Sequence, residues 1–87
     1  MKTRSHEYGN CNLVGKRIEQ LRKSQGIKQK DFIAQLQIEG LDINPTSYSK
    51  LEGQVRIATD KELLIIAKVL QCRTDDLFPI TEKQKTK

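Results

Sequence analysis

The stretch NPTSYSKLE, residues 44–52, is the most informative in the chain. Asparagine followed by proline is a strong helix start. The Asn44 side chain can accept from an orphan backbone amide, and Pro45, with no amide to lose, suits the first helical position. At about 3.6 residues per turn, Tyr48 and Leu51 share one face, while Thr46, Ser47, Ser49 and Lys50 fall outside it. The spacing predicts a short helix over 45–52, ending near Gly53. Its outward side is made of small hydroxyls and one long base. Such side chains can reach base edges in a major groove about 12 Å wide, where hydroxyls pair with several bases and lysine favours guanine O6 and N7. The same threonine and serines equally suit a helix whose first turn caps itself.

Working outward, Asn12 is a plausible cap for a first helix reaching about Gln25, in which Leu13, Val14, Ile18 and Leu21 recur at helical spacing and Gly26 marks the end. A second amphipathic helix is predicted over 27–38, with Ile27, Phe32, Ile33 and Leu36 inward and Lys28, Lys30 and Gln35 outward. Residues 39–43 read as a turn. Beyond the quoted stretch, Thr59 and Glu62 have the spacing of a capping box, which opens a fourth helix over 60–70. Its apolar side comprises Leu63, Leu64, Ile66, Ala67, Val69 and Leu70. A short fifth helix around 74–78 is stopped by Pro79. The expected fold is all-α: a compact five-helix bundle over 12–79, with a flexible arm over 1–11 and a charged tail over 80–87.

Composition narrows the function classes. Eighty-seven residues suit one domain with a single core, and 36% hydrophobic against 31% charged is the balance of a soluble globular protein. No apolar run approaches the roughly 20 residues needed to span a bilayer, and the first residues lack the apolar stretch of a secretory signal, so a cytoplasmic location without membrane attachment is expected. Cys11 and Cys72 belong to no metal-ligand pattern, and Cys72 reads as a small core residue. With one histidine, His6, no phosphate-cradling glycine loop and no metal cluster, the chain offers no assembly for activating a nucleophile; no enzyme activity and no cofactor are expected. The net charge of +5 favours a polyanionic partner. Its placement is informative: residues 12–58 carry eight bases against five acids, whereas residues 59–79 carry three against four.

Three signatures in order, RIEQLRKSQGIKQKDFI, SYSKLEGQ and ELLIIAKVLQCRTDDLF, resemble the Xre/Cro/cI family of phage and bacterial helix-turn-helix regulators over about three quarters of the chain. The resemblance implies a lambda-repressor-like DNA-binding domain acting as a transcriptional regulator, a repressor foremost, on a double-stranded operator. It makes Pro45, Thr46, Ser47 and Lys50 the expected base readers, with Ser49 as a flanking contact. Gln29 matches a glutamine that grips a phosphate near a helix start, where backbone amides and the helix dipole favour an anion. Lys28 and Lys30 add attraction there, and Arg56 is expected to reach the backbone on the other side. Arg22 and Glu52 match a structural ion pair between the first and third helices. A homodimer is implied, through apolar residues such as Leu77, Phe78 and Ile80. Lys2, Arg4 and His6 could serve as a minor-groove arm, although a disordered terminus is the readier explanation of them.

The chain departs from the family pattern at three points. QIEGLDIN, residues 37–44, makes the connection before the third helix about five residues longer than the simplest form and leaves open one more turn on the second helix. Gln54 stands where glycine is frequent, and Arg73 where a capping serine is common. The alternative function is a protein-interaction module, such as an antitoxin that masks a partner protein and regulates its own synthesis.

Overall fold

The computed structural model describes residues 9–79, and the only regular elements among them are helical, with no strand. Four α-helices follow in order: α1 (Gly15–Ser24), α2 (Gln29–Ile38), α3 (Pro45–Glu52) and α4 (Asp60–Leu70). Where the pattern predicts a fifth helix there is a single 3-10 turn, Thr74–Leu77. Only seven residues separate the left-handed Gln71 from Pro79, too few for a stable α-helix, and the tighter turn suffices to drive Leu77 into the core, where it is fully buried. The arm residues Lys2, Arg4 and His6 and the tail 80–87 lie outside the described residues.

The helix starts are set by local chemistry. Asn44 accepts from the Ser47 amide at 2.7 Å, with Pro45 behind it, and α3 occupies the predicted residues. Thr59 and Glu62 form the reciprocal capping box that opens α4. Asn12 accepts from the Val14 and Gly15 amides, but α1 proper begins only at Gly15. All four α-helices end in the same way. A left-handed residue, Gly26, Gly40, Gln54 or Gln71, bends the chain so that two successive amides bond back to the last-turn carbonyls. The left-handed Gly40 stops α2 at Ile38, so the longer connection adds no helical turn; it packs Leu41 and Ile43 inward instead, and Gln37 Nε2 donates to the Ile43 carbonyl at 2.8 Å.

The core gathers Val14 and Ile18 from the first segment, Phe32, Ile33 and Leu36 from α2, Ile43, Tyr48 and Leu51 around α3, and Ile66, Ala67 and Leu70 from α4. Phe32 and Tyr48 meet edge to face at 5.6 Å, tying α2 to α3. Two expected core residues lie outside. Leu13 precedes the first helical turn and is 64% exposed; Leu64, on the Asp60 and Lys68 side of α4, is 65% exposed.

The first described residues are held down and do not swing free, which shortens the predicted arm. The Gly9 and Cys11 amides donate to the Gly53 and Gln54 carbonyls at 2.7 and 2.9 Å. Asn12 Nδ2 donates to the carbonyls of Leu51 (3.0 Å) and Arg56 (2.8 Å), and Gln54 Nε2 donates to the Asn12 carbonyl at 2.9 Å. This segment clasps the exit of α3 and fixes where that helix points.

Candidate nucleic-acid interface

The orientation of α3 follows from what it buries. Tyr48, Leu51 and Glu52 are inside, which at about 100° per residue turns Thr46 and Lys50 directly away from the core. Pro45, Thr46, Ser49 and Lys50 are exposed, and Ser47, at the margin of that ridge, is half-buried. Of the four expected base readers and the flanking Ser49, Thr46 and Lys50 form the outward ridge, Pro45 and Ser49 are exposed towards one margin of it, and Ser47, on the other margin, is the least accessible.

Each margin of the ridge is braced by a different element. On the α2 side, Ser49 Oγ donates to Gln29 Oε1 at 3.2 Å, while Gln29 Nε2 donates to Glu52 Oε1, also at 3.2 Å. Gln29, expected to grip a phosphate, thus has both ends of its amide engaged within the protein. On the loop side, Arg56 Nε donates to the Ser47 carbonyl at 3.1 Å. Its two terminal nitrogens meet the Glu62 carboxylate at 3.1 and 2.6 Å and one also meets the Ile57 carbonyl at 2.6 Å. Arg56, expected to reach a phosphate, is engaged within the protein as a clamp between α3 and the start of α4, because Glu62 and two carbonyls take up most of its donors.

The predicted pair of Arg22 and Glu52 is present and buried, with Nε to Oε2 at 2.7 Å and Nη2 to Oε1 at 3.3 Å. Arg22 Nη1 also donates to the Ile27 carbonyl at 2.7 Å, and the Tyr48 hydroxyl donates to Glu52 Oε2. One carboxylate at the end of α3 thus collects donors from α1, α2 and α3, so the charges are paired and hydrogen-bonded as burial demands. The hydrogen bond with Glu52 raises the Arg22 pKa further. Burial, and then the neighbouring Glu52 charge, push the Tyr48 phenol far above its ordinary value, so it stays a donor. For Glu62, burial pushes the carboxyl up, but the Arg56 guanidinium and the Thr59 amide outweigh it and hold the pKa below the usual carboxylate range.

Lys28 and Lys30 are exposed at the first turn of α2, whose capping position, Lys28, supplies no side-chain bond to the helix amides. Lys28 and Lys30 flank Gln29 in the chain and Lys50 follows Ser49, so exposed lysines neighbour both residues of the bridge. Of the expected dimer residues, Leu77 is buried in the core, Phe78 is exposed and Ile80 lies outside the described residues. Cys11 and Cys72 are free thiols; burial raises the Cys72 pKa. Among the described residues no group of three or more histidine, cysteine, aspartate or glutamate side chains is arranged to hold a metal, and no helix is long and apolar enough to cross a membrane.

Several structuring residues escaped sequence reasoning. Asn12 reads as a cap, but its second task, holding two carbonyls 39 and 44 residues away, leaves no local signal. Arg56 and Glu62 are six residues apart across a loop and a helix start, a separation with no periodic signature. No protein-family model, no curated protein and no solved structure matches this chain.

Proposed function

We propose that this chain is a sequence-specific double-stranded DNA-binding protein of the helix-turn-helix, Xre/Cro/cI-like kind, a transcriptional regulator that acts by binding and not by catalysis. The observation that carries this reading is the ridge of α3. Thr46 and Lys50 stand outward on a helix about 12 Å long, and bonds from Gln29 on one margin and Arg56 on the other hold that helix in place. Rigid support of this kind is what base recognition requires, since a side chain that must find its base edge gains from a fixed backbone.

In this reading α2 and α3, with the packed connection between them, form the helix-turn-helix, and α3 enters the major groove. Lys50 donates to guanine, Thr46 and Ser49 pair with neighbouring base edges, and Pro45 and Ser47 line the contact. Lys28 and Lys30 neutralise phosphates beside the α2 start, and the Nε2 hydrogen of Gln29 not used on Glu52 is the donor left for a phosphate oxygen. Arg56 positions α3 and adds little charge to the contact. Two copies bound one DNA turn apart would read a near-palindromic operator.

The test is selection of bound fragments from a random duplex pool at two salt concentrations. The reading predicts a recovered consensus with two-fold symmetry and an affinity that falls steeply as salt rises. Recovery of no consensus at either concentration refutes it.

A second reading, a module that binds a partner protein, is favoured by one observation. Leu64 lines a hollow of about 560 Å³ together with Ile65, Ala67 and Cys72, and Ile38, at the end of α2, is 81% exposed. A Leu64→Lys substitution separates the two readings: it leaves duplex binding by a single copy intact and abolishes capture of a partner protein on that face.

A further inference from the structure

The loop between α3 and α4 carries two exposed β-branched side chains, Val55 and Ile57, on either side of Arg56. Single apolar residues on a surface need no explanation, so exposure alone says little. Ile57 is distinguished by how firmly its backbone is held. Its carbonyl accepts from Arg56 Nη1 at 2.6 Å, and the same guanidinium donates through Nε to the Ser47 carbonyl at 3.1 Å. Ala58, the next residue, packs against the core, and Thr59 is locked into the capping box of α4. Ile57 is therefore a 68% exposed aliphatic side chain on a backbone held from both sides, and its carbonyl shares the Arg56 guanidinium with the carbonyl of Ser47 at the margin of the ridge. Its branched side chain has little rotamer freedom left to lose on contact.

We propose that Ile57 is a specificity-determining residue that reads a thymine through contact of its side chain with the 5-methyl group at the edge of the groove. The inference rests on the DNA-binding reading above and deepens it. Thymine methyl is the apolar group that base pairs display in the major groove, and an aliphatic side chain is its natural partner. The loop margin also lacks the alternative means of recognition, because the guanidinium of Arg56 is taken up by Glu62 and two carbonyls. What the loop exposes on either side of Arg56 is hydrocarbon, Val55 and Ile57.

The experiment takes the duplex that the parent chain selects from a random pool and replaces its thymines one at a time by deoxyuridine, which removes the methyl and keeps the hydrogen-bonding edge. For the parent, one replacement in each half-site weakens binding about fourfold, the worth of one buried carbon. For Ile57→Ala that replacement has no further effect, and Ile57→Val, which keeps the branched carbons, retains part of the discrimination. Thermal unfolding of both variants matches the parent, since the side chain is exposed. Two results overturn the proposal: deoxyuridine tolerated at every position by the parent, or Ile57→Ala weakening thymine and deoxyuridine duplexes alike, which marks a sugar or phosphate contact. Failure of the parent to select any sequence is a separate result and removes the DNA-binding reading itself.

Discussion

The carboxylate of Glu52 takes two hydrogen bonds from the guanidinium of Arg22, at 2.7 and 3.3 Å, across 30 residues of chain. Because Tyr48 and Gln29 donate to the same carboxylate, its removal strands three donors at once. The ion pair itself is not a large source of stability, since burying two charges costs nearly what their attraction returns. Glu52→Ala is expected to lower unfolding stability by about 3–5 kcal/mol, the cost of an unpaired buried charge. Replacing both partners, Arg22→Met with Glu52→Leu, should cost less than either single change. Urea unfolding of Glu52→Ala, the two single replacements and the double measures this, and a Glu52→Ala protein as stable as the parent would contradict it.

Gly15, the first residue of α1, lies where that helix crosses the end of α3. A β-carbon there would sit 2.3 Å from the Leu51 carbonyl oxygen and 2.6 Å from that of Glu52. Both are backbone atoms, which cannot rotate aside. Gly15→Ala should therefore destabilise the protein by about 1–3 kcal/mol through overpacking, although alanine is the better helix former by roughly 1 kcal/mol. A thermal melt decides between the two effects: a raised midpoint would show that propensity wins and that α1 and α3 are less closely apposed.

How much of this was legible in the residues depends on how far each interaction reaches. Asn44 with Pro45, and Thr59 with Glu62, act within one turn, so the starts of α3 and α4 could be placed to the residue. The inward positions of Phe32, Tyr48 and Leu51 followed from periodicity, as did the exposure of Thr46 and Lys50. The pairing of Arg22 with Glu52 came from family resemblance alone. Arg56 was misread because charge can be counted in a sequence while the direction of a long side chain cannot. Its destination depends on where the α4 start is brought by packing. Leu64 was misread because a helix apolar almost all round offers no single inward face, and the neighbours decide which residues are covered.

The role given to Arg56 separates two measurable quantities. As a clamp, it leaves Glu62 half-buried and unpaired when removed, so Arg56→Ala should cost about 1.5–3 kcal/mol, the range for hydrogen bonds to a charged group. The slope of log affinity against log salt should stay unchanged, because no phosphate contact is lost. The pH dependence supplies a further check. The Glu62 pKa is lowered by folding, so its contribution is present above the unfolded value of about 4.3 and disappears as pH falls through the folded value. Glu62→Gln should flatten that acid limb of the stability curve; an unaltered limb argues against the clamp.

Lys50 and the pair Lys28 and Lys30 have the same charge and are expected to fail differently. Lys50 stands on the ridge of α3, directed away from Tyr48 and Leu51, so its loss should relax preference at one guanine by about 1–3 kcal/mol while other positions keep theirs. Lys28 and Lys30 flank the start of α2, beside the ridge and not on it. Removal of either should weaken binding to all duplexes alike and reduce the salt slope by about one phosphate's worth. Titrating each variant against the selected duplex and its single-base variants at several salt concentrations resolves both quantities. If Lys50→Ala keeps the parent's preference at every base while its salt slope drops, the ammonium of Lys50 lies on a phosphate, and base reading by α3 falls to Thr46 and Ser49 alone.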